Sequence, residues 1–415
     1  MDMSGAINAA IRANPGAVID ARCFRVGKTG GTSHPQTWTQ NMFAGVSTPG
    51  ELLLGAVNVT VFAEQTVPSG WRILGAGPGV TVISGSHTPP GAIFQIGSST
   101  HGGTSNVRIE TLEINGNGAT APVIPIQIQG ATSVWVTRSY IHDGHGTNIG
   151  IDTNSPAYGS AQIHIVKNRI GPTHDCGLFD VQASPLTTDF FIKENLIFGG
   201  QCYGIGSDGS SRGVISGNDI SSTGNSAHSG GGIQVEATNG SPSNIVITDN
   251  VIHDFTARSA AFGIAFVNGT SNRALADVVI ARNVIENFSG RGIVAGNVNG
   301  FAGTKCQDVV IDGNAIHEVT LAGIRVARCD DIQVAANDVY DVGILQTHNE
   351  DQDGISIESS TGFTVAGNRI ADVPSNVTTR YAISLEGPAG DGVIVSNCTE
   401  HILAGSVNAT ERRPQ

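Results

Sequence analysis

Residues 309–326 read Val-Val-Ile-Asp-Gly-Asn-Ala-Ile-His-Glu-Val-Thr-Leu-Ala-Gly-Ile-Arg-Val. Two phrases are joined here: V-x-I-x-x-N-x-I and, after a polar turn, G-I-x-V. The same phrases return from about Asn106 to Asn397. Asparagine holds one slot at Asn168, Asn195, Asn218, Asn250, Asn283, Asn314, Asn337 and Asn368. The slots are 27, 23, 32, 33, 31, 23 and 31 residues apart. Self-similarity at such a period marks a stacked-repeat fold. Each repeat holds short period-2 strands, glycine and asparagine turns and no helical pattern, so the stack is a β-solenoid. In V-x-I alternate side chains point inward. The asparagine is expected to turn the corner, because its amide tolerates a left-handed backbone and bonds nearby main chain. Stacked coil on coil, the amides would bond one another in an internal ladder. Leu112 and Ser139 fill the slot in two earlier coils, so the ladder is expected to begin at Asn168.

Outward from the repeats, residues 1–20 hold a cap helix and the first strand. Ala6, Ile7, Ala10 and Ile11 share one helical face between Ser4 and Asn14, with Pro15 and Gly16 as the stop. Such a helix would cover the open apolar end of the stack. Residues 21–105 read as early, irregular coils, 106–400 as regular coils and 401–415 as a polar tail. His34, Trp38, Trp71 and Lys28 carry no assigned role. Cys306 and Cys329 each lie eight residues before a ladder asparagine. They should therefore stack on neighbouring coils, about 5 Å apart. Both a disulfide and a pair of buried thiols fit that spacing.

Composition narrows the function. Among 415 residues there are 55 glycines, 5% aromatics and 14% charged residues, with a net charge of -13. A solenoid absorbs this length as one domain. The acidic balance argues against a nucleic-acid partner, which would need a basic stripe, and disfavours a highly anionic substrate unless cations intervene. No apolar run approaches the roughly 20 residues of a membrane span, so a soluble protein is expected. The opening MDMSGAINAA lacks a secretory signal, which leaves an intracellular protein or a secreted or periplasmic one whose signal is already gone.

With its cap helix, asparagine ladder and G-I-x-V strands, the chain resembles the right-handed parallel β-helix, or pectin-lyase-like, superfamily along nearly its whole length. The resemblance implies an all-β, single-domain right-handed parallel β-helix. It also implies that the outer face of one sheet, the one after the long variable turn, holds a polysaccharide. That sheet should be the G-I-x-V column. Its outward pairs would be Gln127/Gln129, Asp152/Asn154, Asp180/Gln182, Gly206/Asp208 and Gln234/Glu236. The next coils turn bland, through Ala265/Val267, Val294/Gly296 and Arg325/Ala327 to Ser356/Glu358 and Ser384/Glu386. The turns before the acidic strands add His142, Asp143, His145, His174, Asp175, Tyr203 and His228.

Neighbouring coils are about 4.8 Å apart and alternate residues of a strand roughly 6.7 Å apart. Asp152 with Asp180, and Asp208 with Glu236, would then lie about 5 Å apart, and Asp180 with Asp208 roughly 8 Å. These separations match the carboxyl spacings of retaining (about 5 Å) and inverting (roughly 6.5–9.5 Å) glycosidases. The diagonal pair suits inversion, with Asp180 and Asp208 as acid and base. Asp152, Glu236, His145 and His174 would support them. Gln127, Gln129, Asn154, Gln182, Tyr203, Gln234 and His228 would bind substrate. Gly144-His145-Gly146 resembles the G-H-G of polygalacturonase-type hydrolases. Asp152 and Asp180 resemble the aspartates of mannuronan epimerases, although Asn154 replaces the histidine of that family's D-P-H motif.

Three readings follow. The first is hydrolysis of a polysaccharide or oligosaccharide without a cofactor. The second is a metal-assisted lyase or uronate epimerase, with Ca²⁺ on the acidic column. The third is a non-catalytic, tailspike-like glycan binder. Among the four lysines, Lys28, Lys167, Lys193 and Lys305, none is placed on the groove face, and Arg325 is the one arginine expected there. A second acidic group, His348, Asn349, Glu350, Asp351 and Asp353 with Glu358 and Glu386, is a solvated loop, a calcium site or a subsite.

Overall fold

The computed structural model describes residues 2–23, 28–29, 32–33, 36–86, 91–100, 102–117, 123–153, 158–173, 179–199, 203–221, 231–255, 262–268, 273–297, 306–344, 352–372, 378–387, 390–400 and 407–409. They form two compact units, Met1–Gln201 and Cys202–Gln415. Each unit is built from three sheets of parallel strands, and each turn of chain adds one strand to every sheet. Parallel crossovers of this kind are right-handed. The chain is an all-β parallel β-solenoid with one helix among the described residues.

The inward rows are almost all Ile and Val, and residues such as Ile109, Val136, Ile165, Ile247, Ile280 and Ile311 are wholly buried. Fully burying each such side chain contributes about 1.5–3 kcal/mol. In the first unit the parallel stacking begins well before residue 106. Strands Val18–Ala21, Gly50–Leu54, Trp71–Leu74 and Thr104–Glu110 pair in order. The helix Ser4–Ala13 packs on Val18–Ala21 and Gln36–Trp38 and buries Ile7 and Ile11. Ala6, assigned to the same face, is exposed.

The asparagine ladder is present, and one part of its explanation changes. Asn283 is typical: its backbone N–H and its Nδ2 both donate to Asn314 Oδ1 at 3.0 Å, and Nδ2 also reaches the Ile247 carbonyl at 2.9 Å. The series Asn218, Asn250, Asn283, Asn314, Asn337, Asn368 and Asn397 repeats this in the second unit. In the first unit Asn168 bonds Asn195, and Ser139 donates to Asn168. The left-handed residue, however, is the one before the asparagine. Lys167, Glu194, Asp249, Arg282, Ala336 and Ser396 all have φ between 53° and 59°. The amide's bonds hold the corner closed, and the preceding residue takes the backbone strain.

Cys306 stands opposite Cys329 on adjacent strands, and the two form a disulfide with Cα atoms 4.3 Å apart. No helix among the described residues is long and apolar enough to cross a membrane.

Candidate functional site

The G-I-x-V strands form one sheet in each unit, and their registers decide which carboxylates meet. In the second unit Tyr203–Asp208 pairs Gly231–Glu236, so Asp208 stands directly opposite Glu236. The next strand places Ala265 beside Gln234 and Val267 beside Glu236. Ala265, Val267 and Val294 are buried and packed with Phe262. The outer rows thus run from two carboxylates into an apolar wall.

Asp208 is 8% exposed. It accepts the backbone N–H of Thr238 at 3.0 Å and of Asn239 at 2.9 Å, and the Asn239 side-chain amide also donates to it. Three donors fix its orientation. Glu236 is half-buried and accepts from Gln234 Nε2 at 2.7 Å. Burial first, and then the charge of Asp208, push its carboxyl above the usual range. The pair thus joins a fixed carboxyl to a neighbour whose proton affinity is raised. Tyr203 stacks on Phe262 with ring centroids 5.7 Å apart, and the strand between them has Gly231, where a Cβ would lie 2.9 Å from both rings.

In the first unit the register overturns one expected pair. Ile149 pairs Val181 and Ile151 pairs Ala183. Asp152 therefore comes opposite Ser184, four residues beyond Asp180, and is not its neighbour. Nor does Asp152 face a substrate. It is wholly buried and accepts the N–H of Gly130 (3.1 Å) and Ser160 (2.7 Å) and the hydroxyls of Ser160 (2.8 Å) and Thr187 (2.9 Å). Burial raises its pKa, while these donors oppose the rise. It closes a corner, with φ 54°, and is removed from the catalytic set.

The glutamines are corrected in the same way. Gln127 and Gln129 are 3% and 5% exposed. Gln127 donates to the Gly150 carbonyl and accepts from Thr153, and Gln129 accepts from Gln95. Gln234 holds Glu236, so it positions a carboxyl. Gln182 keeps a buried Oε1 that has no hydrogen-bond partner among the described residues. His145 is exposed on the turn before Ile149–Ile151, which Asn148 ties by accepting the Gly144 N–H at 2.9 Å. The Asp180 side chain, Asn154, His174, Asp175 and His228 lie outside the described residues, as do His34, the Lys28 side chain and 345–351.

The second acidic group is neutralised where it is described. Arg380 clamps Asp353 at 2.9 and 2.8 Å and reaches Glu386 at 3.3 Å, and Arg325 meets Glu358 at 2.8 Å. Arg325 is not alone on this sheet, because Arg291 stands beside Phe262. Among the described residues no group of three or more His, Cys, Asp or Glu is placed to hold a metal ion. Sequence reasoning missed Thr238, Asn239 and Phe262. The turn Thr238-Asn239-Gly240 was the available signal, since polar turn residues supply the N–H groups that hold a carboxylate.

Fold and site define a right-handed parallel β-helix with a carboxyl pair on the outer face of one sheet. A family model for the right-handed beta helix region matches residues 262–407. No curated protein sequence matches the chain. Among solved structures it is similar to the A-module of a mannuronan C-5 epimerase from Azotobacter vinelandii (TM-score 0.59, 15% identity, 99% of this chain and 95% of that one). A surface adhesin of Streptococcus pneumoniae gives a TM-score of 0.56 at 15% identity, over 81% of this chain and 84% of that one. Gene product 12 of bacteriophage phi29 gives 0.58 at 14% identity, over 85% of this chain and 48% of that one. At these identities the likeness is one of fold.

Proposed function

We propose that the chain is a carbohydrate-active protein that cleaves a glycosidic bond of a polysaccharide or oligosaccharide lying along the G-I-x-V sheet of the second unit. The observation that carries this reading is the Asp208–Glu236 pair. Glu236, whose proton affinity is raised by burial and by its neighbour's charge, would protonate the leaving oxygen. Asp208, fixed by three donors, would attack the anomeric carbon as the leaving group departs, and water deprotonated by Glu236 would then release the sugar from that ester and restore both carboxyls. Strands about 4.8 Å apart put the pair near the spacing of retaining enzymes, so the diagonal inverting pair gives way to this one.

The test is turnover on a polysaccharide panel with and without chelator, following reducing ends and ultraviolet absorbance of unsaturated uronates. Reducing ends without absorbance, lost in Glu236→Gln, are expected. Absorbance that disappears with chelator would replace hydrolysis by a Ca²⁺-assisted lyase, and an exchange of sugar configuration without cleavage would indicate an epimerase. One observation favours a second reading. The donors that saturate Asp208 also serve a purely structural turn, as in a glycan-binding β-helix. Tight glycan binding without turnover, unchanged in Glu236→Gln, would establish that reading.

A further inference from the structure

The outer face of a different sheet in the first unit holds a second constellation. Its strands place Arg72, Arg108, Trp135, His164 and Phe191 opposite one another in a single outward row. Trp135 and His164 stack with centroids 5.3 Å apart and planes 6° apart, and His164 and Phe191 stack at 4.7 Å and 11°. The Arg108 guanidinium lies 4.6 Å over the indole, and Lys193 Nζ is 5.3 Å from the Phe191 ring. At the neighbouring left-handed corner stand Arg138 and Lys167, each with a side chain 59% exposed.

The charge balance of this face differs from that of the chain. Five of its 22 basic residues, Arg72, Arg108, Arg138, Lys167 and Lys193, gather here, whereas the whole chain carries -13. Glu110, only 4% exposed, is shared by Arg72 at 2.8 Å and Arg138 at 3.4 Å. Glu194 meets Lys167 at 3.4 Å, but both are largely exposed, and such pairs are weak. Glu51 lies at the far end beside Arg72, and Asp189 at the opposite corner, beyond the aromatic row. Burial and Lys193 lower the pKa of His164, so it joins the row as a neutral ring.

We propose that this face is a second carbohydrate site, separate from the Asp208–Glu236 sheet, that takes an acidic polysaccharide running along the coil axis. The ring faces are covered by one another and by Arg108, so a sugar meets ring edges and a guanidinium. The basic side chains step along the axis at coil spacing, which matches a linear polymer with a carboxylate on each unit. A compact acidic protein surface would not need that periodicity. The site does not depend on whether the groove is catalytic.

The chain carries its own probe. Of three tryptophans, Trp38 and Trp71 are 0% and 1% exposed, whereas Trp135 is half-buried on this face. Titrating the full chain with polygalacturonate at low salt should change Trp135 emission saturably, and added salt should weaken the effect. Neutral dextran should leave the emission unchanged. The Arg138→Ser/Lys167→Ser/Lys193→Ser variant keeps Arg108 on the indole and should bind more than about tenfold more weakly. Trp135→Phe should lose the signal while still being retarded by polygalacturonate in a gel. Three results would each overturn the site: no saturable change, unaltered affinity in the triple variant, or equal response to polyglutamate. The last would mean that the face reads charge alone.

Discussion

Asp152 follows a strand of the G-I-x-V type and Asp208 ends one, and both are nearly out of solvent. Their surroundings separate them. Asp152 is enclosed by four donors from its own and adjacent coils, and a serine, Ser184, lies opposite it. Asp208 has three donors and a second carboxyl opposite it. A buried carboxylate whose neighbours are all donors holds a fold together. One whose neighbour is another carboxyl shifts that partner's proton affinity and becomes available for chemistry.

The comparison breaks most visibly at Glu236. Glu236→Gln should reduce turnover by about 10²–10⁴-fold, the usual contribution of a general acid, with little loss of melting temperature. Activity of the natural chain should fall as pH rises through the raised pKa of Glu236. The sign for stability is the same. A carboxyl whose pKa is raised on folding contributes at low pH and costs stability once ionised. Above that pKa, thermal denaturation should therefore find Glu236→Gln the more stable chain. A turnover rate that survives in the variant would return Asp208 to the same structural class as Asp152.

The next effect is at Asp152. Asp152→Ala leaves four buried donors unpaired and should cost about 2–4 kcal/mol, read as the shift in denaturant midpoint. Activity per folded molecule should be unchanged. If activity disappears from a fully folded Asp152→Ala protein, the division between the two aspartates fails.

The smallest effect belongs to a histidine that sharpens the contrast from outside the groove. His253 Nδ1 meets Asp254 at 2.8 Å and Nε2 meets Asp219 on the preceding coil at 2.9 Å. Glu286 stands opposite it on the next coil, and Asn287 donates to Asp254. Burial lowers its pKa, but the two carboxylates outweigh this and the net shift is upward. The clamp contributes fully below the ordinary histidine value of about 6.5 and is lost as pH rises through the raised one. The melting difference between the natural chain and His253→Gln should correspond to about 1 kcal/mol or less at roughly pH 6 and vanish in alkali. A difference independent of pH would mean that the histidine acts by packing alone.

The ladder was legible because eight asparagines share one apolar frame, and a shared frame fixes register. Asp208 opposite Glu236 was legible for the same reason. Asp152 was misread because the sequence on either side of the Ile163–Ile170 phrase carries no frame, so counting from the strand phrase placed it beside Asp180. Its donors also come from Gly130, Ser160 and Thr187, up to 35 residues away, and no local motif announces them. The basic face was invisible for a related reason. Arg108, Arg138, Lys167 and Lys193 lie about one coil apart in sequence, and only stacking brings them together. The strained backbone was placed one residue late, because asparagine's own tolerance of φ > 0 hid the fact that its hydrogen bonds impose that conformation on the residue before it.

The Cys306–Cys329 bridge gives the second unit a mechanical joint. A chain pulled from its C-terminal end would unwind coil by coil, since each coil of the second unit is held to the one before it by strand pairing and the asparagine contacts. Unwinding that reaches Cys329 meets a covalent link to the coil beneath. The residues between the two cysteines, which stand 23 positions apart, then bear no load, and tension passes directly to Cys306. The loop closed by the bridge is thereby shielded from the pull until a reductant opens it.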